Sequence, residues 1–367
     1  MVWGNSAHNV WILLVWWGLL ASRLVGGHVA AWHKGMYCLN GTTPGPEDDL
    51  DTNDAVNPLF NLSRSDWWMH HVNKCDEFPP NEGNFLELPA GESFVVELAV
   101  NRAFTSLSYG GSRTNVFPDG EEHPRLGETQ EGKSAEGCIS LFNIHTMNES
   151  MAAGTAFAIS YESDIARVTP ENLVVFTVLY HTPWRRIAEY QVPMLPACPE
   201  GGCHCAWGWV ADGCGEPNMY MQPFKCKVVG QTGSRALAPA VAPVWCEDDR
   251  SKCVTGPKQM VFWNQQEGSN VFVSGFDLSG RNRAPAYNNK MGFANGAQPD
   301  IFLEEGSAPP SYVEPGPSDT PVGYPGPEPT GTDTRTSDAI SWRFGGTVWT
   351  HTTILFTCTL LSLAPIC

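Results

Sequence analysis

The sequence predicts an all-β protein, a two-sheet β-sandwich with long disulfide-bonded loops. Three observations lead there. The 367 residues include 36 Gly and 29 Pro, and only 17% are charged, a turn-rich composition that suits strands better than helices. Short β-rich runs recur between turn residues. Ten of the 12 cysteines, Cys38, Cys75, Cys138, Cys198, Cys203, Cys205, Cys214, Cys226, Cys246 and Cys253, form an even set outside the C-terminal tail. In an oxidising compartment they are expected as disulfides, in a connectivity that spacing does not decide.

The elements follow in order. Val10–Ala21 is an apolar run too short to span a bilayer, and small residues follow it up to Gly27. Residues 1–27 therefore read as a secretory signal peptide. Residues 28–306 form one domain, long enough to bury a substantial core. Ser65–Asn73 is the single good helix candidate, with Ser65 as its N-cap. Asn84–Val100 reads as two extended runs hinged at Pro89-Ala90-Gly91. Ala156–Tyr161, Leu173–Tyr180 and Ile187–Val192 are further short strands. Gln259–Asn264 and Asn270–Ser274 suggest a hairpin around Glu267-Gly268. Residues 307–336 are dense in Pro, Gly and acidic residues and form an extended linker. Residues 337–367 place small residues, beginning at Ser337, ahead of a spacer and a terminal apolar tail. That is the pattern of a glycosylphosphatidylinositol anchor signal, and no Lys or Arg follows the tail as it would a stop-transfer helix. The protein is thus expected to be secreted, held at the cell surface through a lipid anchor alone, and monomeric. Sequons at Asn40, Asn61 and Asn148 fit a glycosylated surface.

A net charge of −17 argues against nucleic acid, whose phosphates need clustered Lys and Arg. A neutral polysaccharide makes no such demand. Cleavage after Gly27 would expose His28 with two neutral nitrogens, the α-amine and the ring, which can chelate one metal. Nitrogen ligands of this kind suit Cu(II). A second nitrogen donor is needed. His33 lies five residues on, on the opposite face if the segment is a strand. His70 and His71 lie on the candidate helix, His123 in a polar loop, His145 on an expected strand, His181 in a turn and His204 between two cysteines. The residues alone do not choose among them. Cys198 with Cys203-His204-Cys205 suggests zinc only superficially, since disulfides are favoured in a secreted chain. Trp207 and Trp209 alternate on one strand face as core residues. No P-loop, G-x-S-x-G or H-E-x-x-H is present.

Several segments together carry a resemblance. They are His28-Val-Ala-Ala-Trp32-His33-Lys-Gly-Met36-Tyr37, Trp67-Trp68, Leu88–Gly91 with Glu97-Leu98-Ala99, Pro196–Trp209, Tyr220-Met-Gln-Pro-Phe224-Lys-Cys226 and Lys258–Asn270. In this order they resemble the fungal lytic polysaccharide monooxygenases of auxiliary activity family fourteen, across nearly all of residues 28–306. The resemblance implies an immunoglobulin-like or fibronectin-like sandwich holding one copper ion in a histidine brace. It implies His28 as the amine and ring ligand, His123, ahead of Gly137-Cys138, as the second histidine, and Tyr220 as the axial residue. Asn218 stands where related enzymes often carry glutamine, close to the axial tyrosine. The implied reaction is copper-dependent oxidative cleavage of glycosidic bonds in xylan on cellulose, a plant cell-wall polysaccharide, with C1 and/or C4 oxidation. It would use an external electron donor and O2 or H2O2. The alternative class is a non-catalytic cell-surface protein for copper binding or uptake. A third is a cell-wall binding module.

Overall fold

The computed structural model describes residues 28–43, 51–123, 144–211 and 217–304. The signal segment, the linker, Ser337 with its tail, Cys138 and Cys214 lie outside the described residues. Among the described residues no helix is long and apolar enough to cross a membrane.

Ten strands are described: β1 (Ala30–Trp32), β2 (Leu39–Thr42), β3 (Leu86–Pro89), β4 (Ser93–Ala99), β5 (Thr155–Ser160), β6 (Val174–Leu179), β7 (Ile187–Gln191), β8 (Cys203–Val210), β9 (Met219–Val229) and β10 (Gly296–Ala297). They build a three-stranded sheet, β1-β4-β7, and a six-stranded sheet, β10-β6-β5-β8-β9-β3. The pairs are antiparallel except β3 with β9. The predicted all-β sandwich is therefore the observed one. Pro89-Ala90-Gly91 forms the turn between β3 and β4, with Gly91 at positive φ.

Burial explains why some strands alternate and others do not. β7 alternates strictly, with Ala188 and Tyr190 buried and Ile187 exposed, because the outer face of its sheet meets solvent. β5 and β8 are buried at every residue because the six-stranded sheet is covered on both faces. Inward, Phe157, Phe176, Trp207, Trp209 and Phe224 pack with Trp32, Phe94, Leu98 and Tyr190 of the opposite sheet. Outward, Ala156, Ala158, Val175 and Ala206 lie under Trp67, Met260, Phe262, Tyr287 and Phe293. Burying one such aromatic side chain contributes roughly 1.5–3 kcal/mol. Gly208 sits where this outer layer comes closest. A Cβ there would lie 2.5 Å from both Met260 Cε and Tyr287 Oη.

Eight of the ten expected cysteines pair as Cys38–Cys75, Cys198–Cys203, Cys205–Cys226 and Cys246–Cys253. With Cys203 and Cys205 in disulfides, the zinc reading of Cys203-His204-Cys205 falls away.

Two local expectations are corrected. The helix begins earlier and is shorter than predicted, running Arg64–Trp67 with Ser63 as its N-cap rather than Ser65. Ser63 Oγ accepts from the Asp66 amide at 3.3 Å. The chain continues as 3-10 turns through Asn73, broken by Met69 and His70 at positive φ. The 259–274 segment folds back as a loop pair, not a laddered hairpin. The Asn270 amide donates to Phe262 O. Its side chain accepts from the Phe262 amide and donates to Met260 O and Gln259 Oε1, doing locally what a ladder would do.

Candidate metal centre

The register of the two sheets gathers one ring from each of four distant sequence positions. His28 lies two residues before β1, which is placed by Ala30 opposite Ala99 on β4. Tyr220 is the second residue of β9, opposite Trp209 on β8. Their rings stack, with centroids 4.5 Å apart at 22°. The His28 ring is 6.5 Å from Tyr220. The His145 ring lies 5.7 Å from Trp209, tilted at 50°. Tyr220, Trp209 and His145 are all buried, and His28 is partly so.

Two of the predicted site residues are thus brought together, His28 and Tyr220. Asn218 is buried just ahead of β9, on the approach to Tyr220. His123 Nε2 lies 2.7 Å from the Asp119 carboxylate, and its ring packs edge-on against Phe117. The preceding segment docks on β4 through Val100 N–H to Pro118 O. Val100 and Leu98 share one side of β4, and Leu98 donates to Arg186 O beside β7.

His145 is also corrected, from an expected strand to the loop entering β5. Its φ is 54°, in the left-handed region that residues other than glycine adopt rarely. Such conformations persist where the surroundings over-determine them, and they cluster at functional sites. Trp209 read as core in the sequence. It is core, and its ring also neighbours both Tyr220 and His145. Alternation along β8 could have placed its ring beside the inward residues of β9, but nothing local linked it to residue 145.

The residues that the resemblance implies fit copper. His28 and His123 carry imidazoles, Tyr220 a phenol and His28 an amine once it is N-terminal, with no thiolate among them. Among the described residues no three His, Cys, Asp or Glu side chains gather as a cage. A set using an amine and a phenol is of another kind.

The other buried histidines have structural partners. His33 Nδ1 accepts from the Gly35 amide at 3.1 Å. His70 Nδ1 faces Met221 O at 3.0 Å. His204 Nδ1 donates to Glu162 O at 2.8 Å, so Nε2 takes the Tyr37 hydroxyl proton at 2.9 Å. Burial holds all three below the ordinary histidine range, His33 at about 4 with the nearby Lys34 adding to the effect. An unfolded histidine titrates near 6.5. The folded protein resists those protons, so this stabilisation is complete above pH ~6.5 and is lost as pH falls from there towards 4. The urea midpoint should therefore drop steadily between pH 7 and 4.5. A flat midpoint over that range would contradict the burial of these rings as neutral groups.

The family profile described as lytic polysaccharide monooxygenase AA14 matches residues 10–350. A protein of Pycnoporus cinnabarinus named AA14 family lytic polysaccharide monooxygenase B is 35% identical over 292 residues, covering 77% of this chain and 71% of that one. The A protein of Trametes coccinea is 34% identical, covering 76% of this chain and 61% of its own length. The B protein of Talaromyces rugulosus is 36% identical, covering 77% of this chain and 96% of its own.

Proposed function

Because this chain belongs to the AA14 family of lytic polysaccharide monooxygenases, copper oxidoreductases that act on polysaccharide, we propose that it oxidatively cleaves xylan associated with cellulose, at C1, C4 or both. The observation that carries this reading is the approach of two residues the resemblance implies for the site, His28 and Tyr220, whose rings lie 6.5 Å apart. When bound, copper would accept an electron from an external donor and activate O2 or H2O2.

The chain's own residues do the rest. His28 supplies an amine and an imidazole on one residue, so two donors are ordered at the entropic cost of one side chain. Trp209 stacks on Tyr220 and fixes its plane, and the neutral phenol would be a weak donor to the metal. Asn218 offers an amide N–H near the same end of β9. For the second imidazole the resemblance points to His123, which is the assignment proposed here.

Copper-loaded ectodomain beginning at His28, given xylan-coated cellulose and ascorbate, should release oxidised oligosaccharides detectable by mass spectrometry. Tight copper binding without oxidised products would favour a copper-binding or uptake protein instead. Tyr220→Phe should keep most copper affinity, since the nitrogen donors remain, but should change the Cu(II) electron paramagnetic resonance spectrum and lower oxidative activity. An unchanged spectrum would remove Tyr220 from the centre.

The processing signals belong to the same proposal. The protein is secreted, cut after Gly27 and tethered by a lipid added near Ser337. Phosphatidylinositol-specific phospholipase C should then release it from intact cells. Retention in the membrane with the C-terminal peptide still present would rule out the anchor.

A further inference from the structure

A groove of about 300 Å³ lies beside Asn40, lined by Leu39, Asn40, Phe78, Pro79, Pro80 and Asn81 among others. Asn40 is the acceptor of an Asn-Gly-Thr sequon. Its position is unusually well fixed. Gly41 takes φ +60°, and a Cβ there would lie 2.4 Å from the Asp54 carboxylate, so the turn requires glycine. The buried Arg102 donates to Asn40 Oδ1 and sets the plane of the amide. The opposite wall is tied twice to Cys38, the residue before β2. The Cys38 amide donates to Phe78 O at 2.8 Å, and Cys38 is disulfide-bonded to Cys75.

We propose that this groove is the seat of the first N-acetylglucosamine of a glycan carried on Asn40, which packs its ring against Phe78 and Pro79. The groove is large enough for one pyranose. Phe78 and Pro79 present partly exposed apolar surface of the kind that the C–H face of a sugar covers. The Asn81 amide and the Glu77 carboxylate supply polar partners for hydroxyl and acetamido groups. The sugar is delivered covalently, so it sits there at high effective concentration with no association entropy to overcome. The glycan then acts as an external staple between the β2 turn and the 75–81 segment. This rests on secretion, and is independent of copper and of the reaction.

The test uses the full chain secreted from a fungal host, with glycopeptide mapping and thermal melts. Asn40 should be occupied. Trimming to a single N-acetylglucosamine with endoglycosidase H should leave Tm unchanged. Thr42→Ala, which abolishes the sequon while keeping Asn40 for Arg102, should lower Tm by about 2–4 °C. Ser150→Ala, which removes the Asn148 sequon, should not lower it. In a Phe78→Ala background the effect of Thr42→Ala should largely disappear, as expected if the two share one interaction. An unmodified Asn40 beside occupied Asn61 or Asn148 overturns the proposal. Absence of sugar at all three sequons overturns it together with the secretory reading. Equal melting of wild type and Thr42→Ala overturns the packing.

Discussion

Copper affinity should fall by at least about 100-fold when one residue, Gly27, is left in front of His28. Loss of a partner outside the ligand shell already costs about 10–100-fold in metal affinity, and this change removes a ligand. The extra residue turns the amine into an amide, whose nitrogen lone pair is delocalised into the carbonyl. One of three nitrogens is lost while the imidazole stays. The fold should be indifferent, because the first backbone pairing is Ala30 with Ala99, two residues downstream. A free α-amine titrates near 7.7–8.0, so affinity of the correctly processed protein should also weaken as pH falls below that range, by up to tenfold per unit. The Gly27-start form should lack this component. Calorimetric titration of the two matched ectodomains, alongside their melting curves, checks both points. Equal affinities with equal melting would end the brace reading and the oxidative mechanism that depends on it.

The second large effect belongs to His123. His123→Ala should lower copper affinity by about two orders of magnitude, because it removes one of three nitrogen donors. His145→Asn should leave affinity within a few-fold, since the His145 ring lies against Trp209. Asparagine is the right probe at 145 because it tolerates left-handed backbone and removes the imidazole without adding strain. Calorimetric titration of both variants beside wild type checks this. The reverse pattern, with His145→Asn abolishing binding and His123→Ala sparing it, would move the ligand to His145.

Both predictions concern places where local pattern and tertiary placement differ. The strands on either side of Pro89-Ala90-Gly91 could be read directly, because alternation and a hinge are local properties. β5 and β6 were legible as short apolar runs, and their burial on both faces accounts for the missing alternation. The helix start moved from Ser65 to Ser63 because both serines satisfy the capping preference, and only backbone geometry selects between them. The 259–274 hairpin failed because one asparagine side chain satisfies the groups that a ladder would otherwise pair.

Composition and strand period were enough for an all-β sandwich, and the ordered set of segments from His28 to Asn270 was enough for the family, whose resemblance names His28 and Tyr220. These depend on which residues are near each other in the chain, or on motifs that recur whole. The pairing of Cys205 with Cys226, the stacking of Trp209 on Tyr220 and the approach of His145 to Trp209 were decided only by the tertiary structure. Each joins residues separated by 11 to 64 positions through the register of β8 with β9 and the entry loop of β5. Register is a property of two strands together, and a single-residue slip would turn Trp209 and Tyr220 to opposite faces.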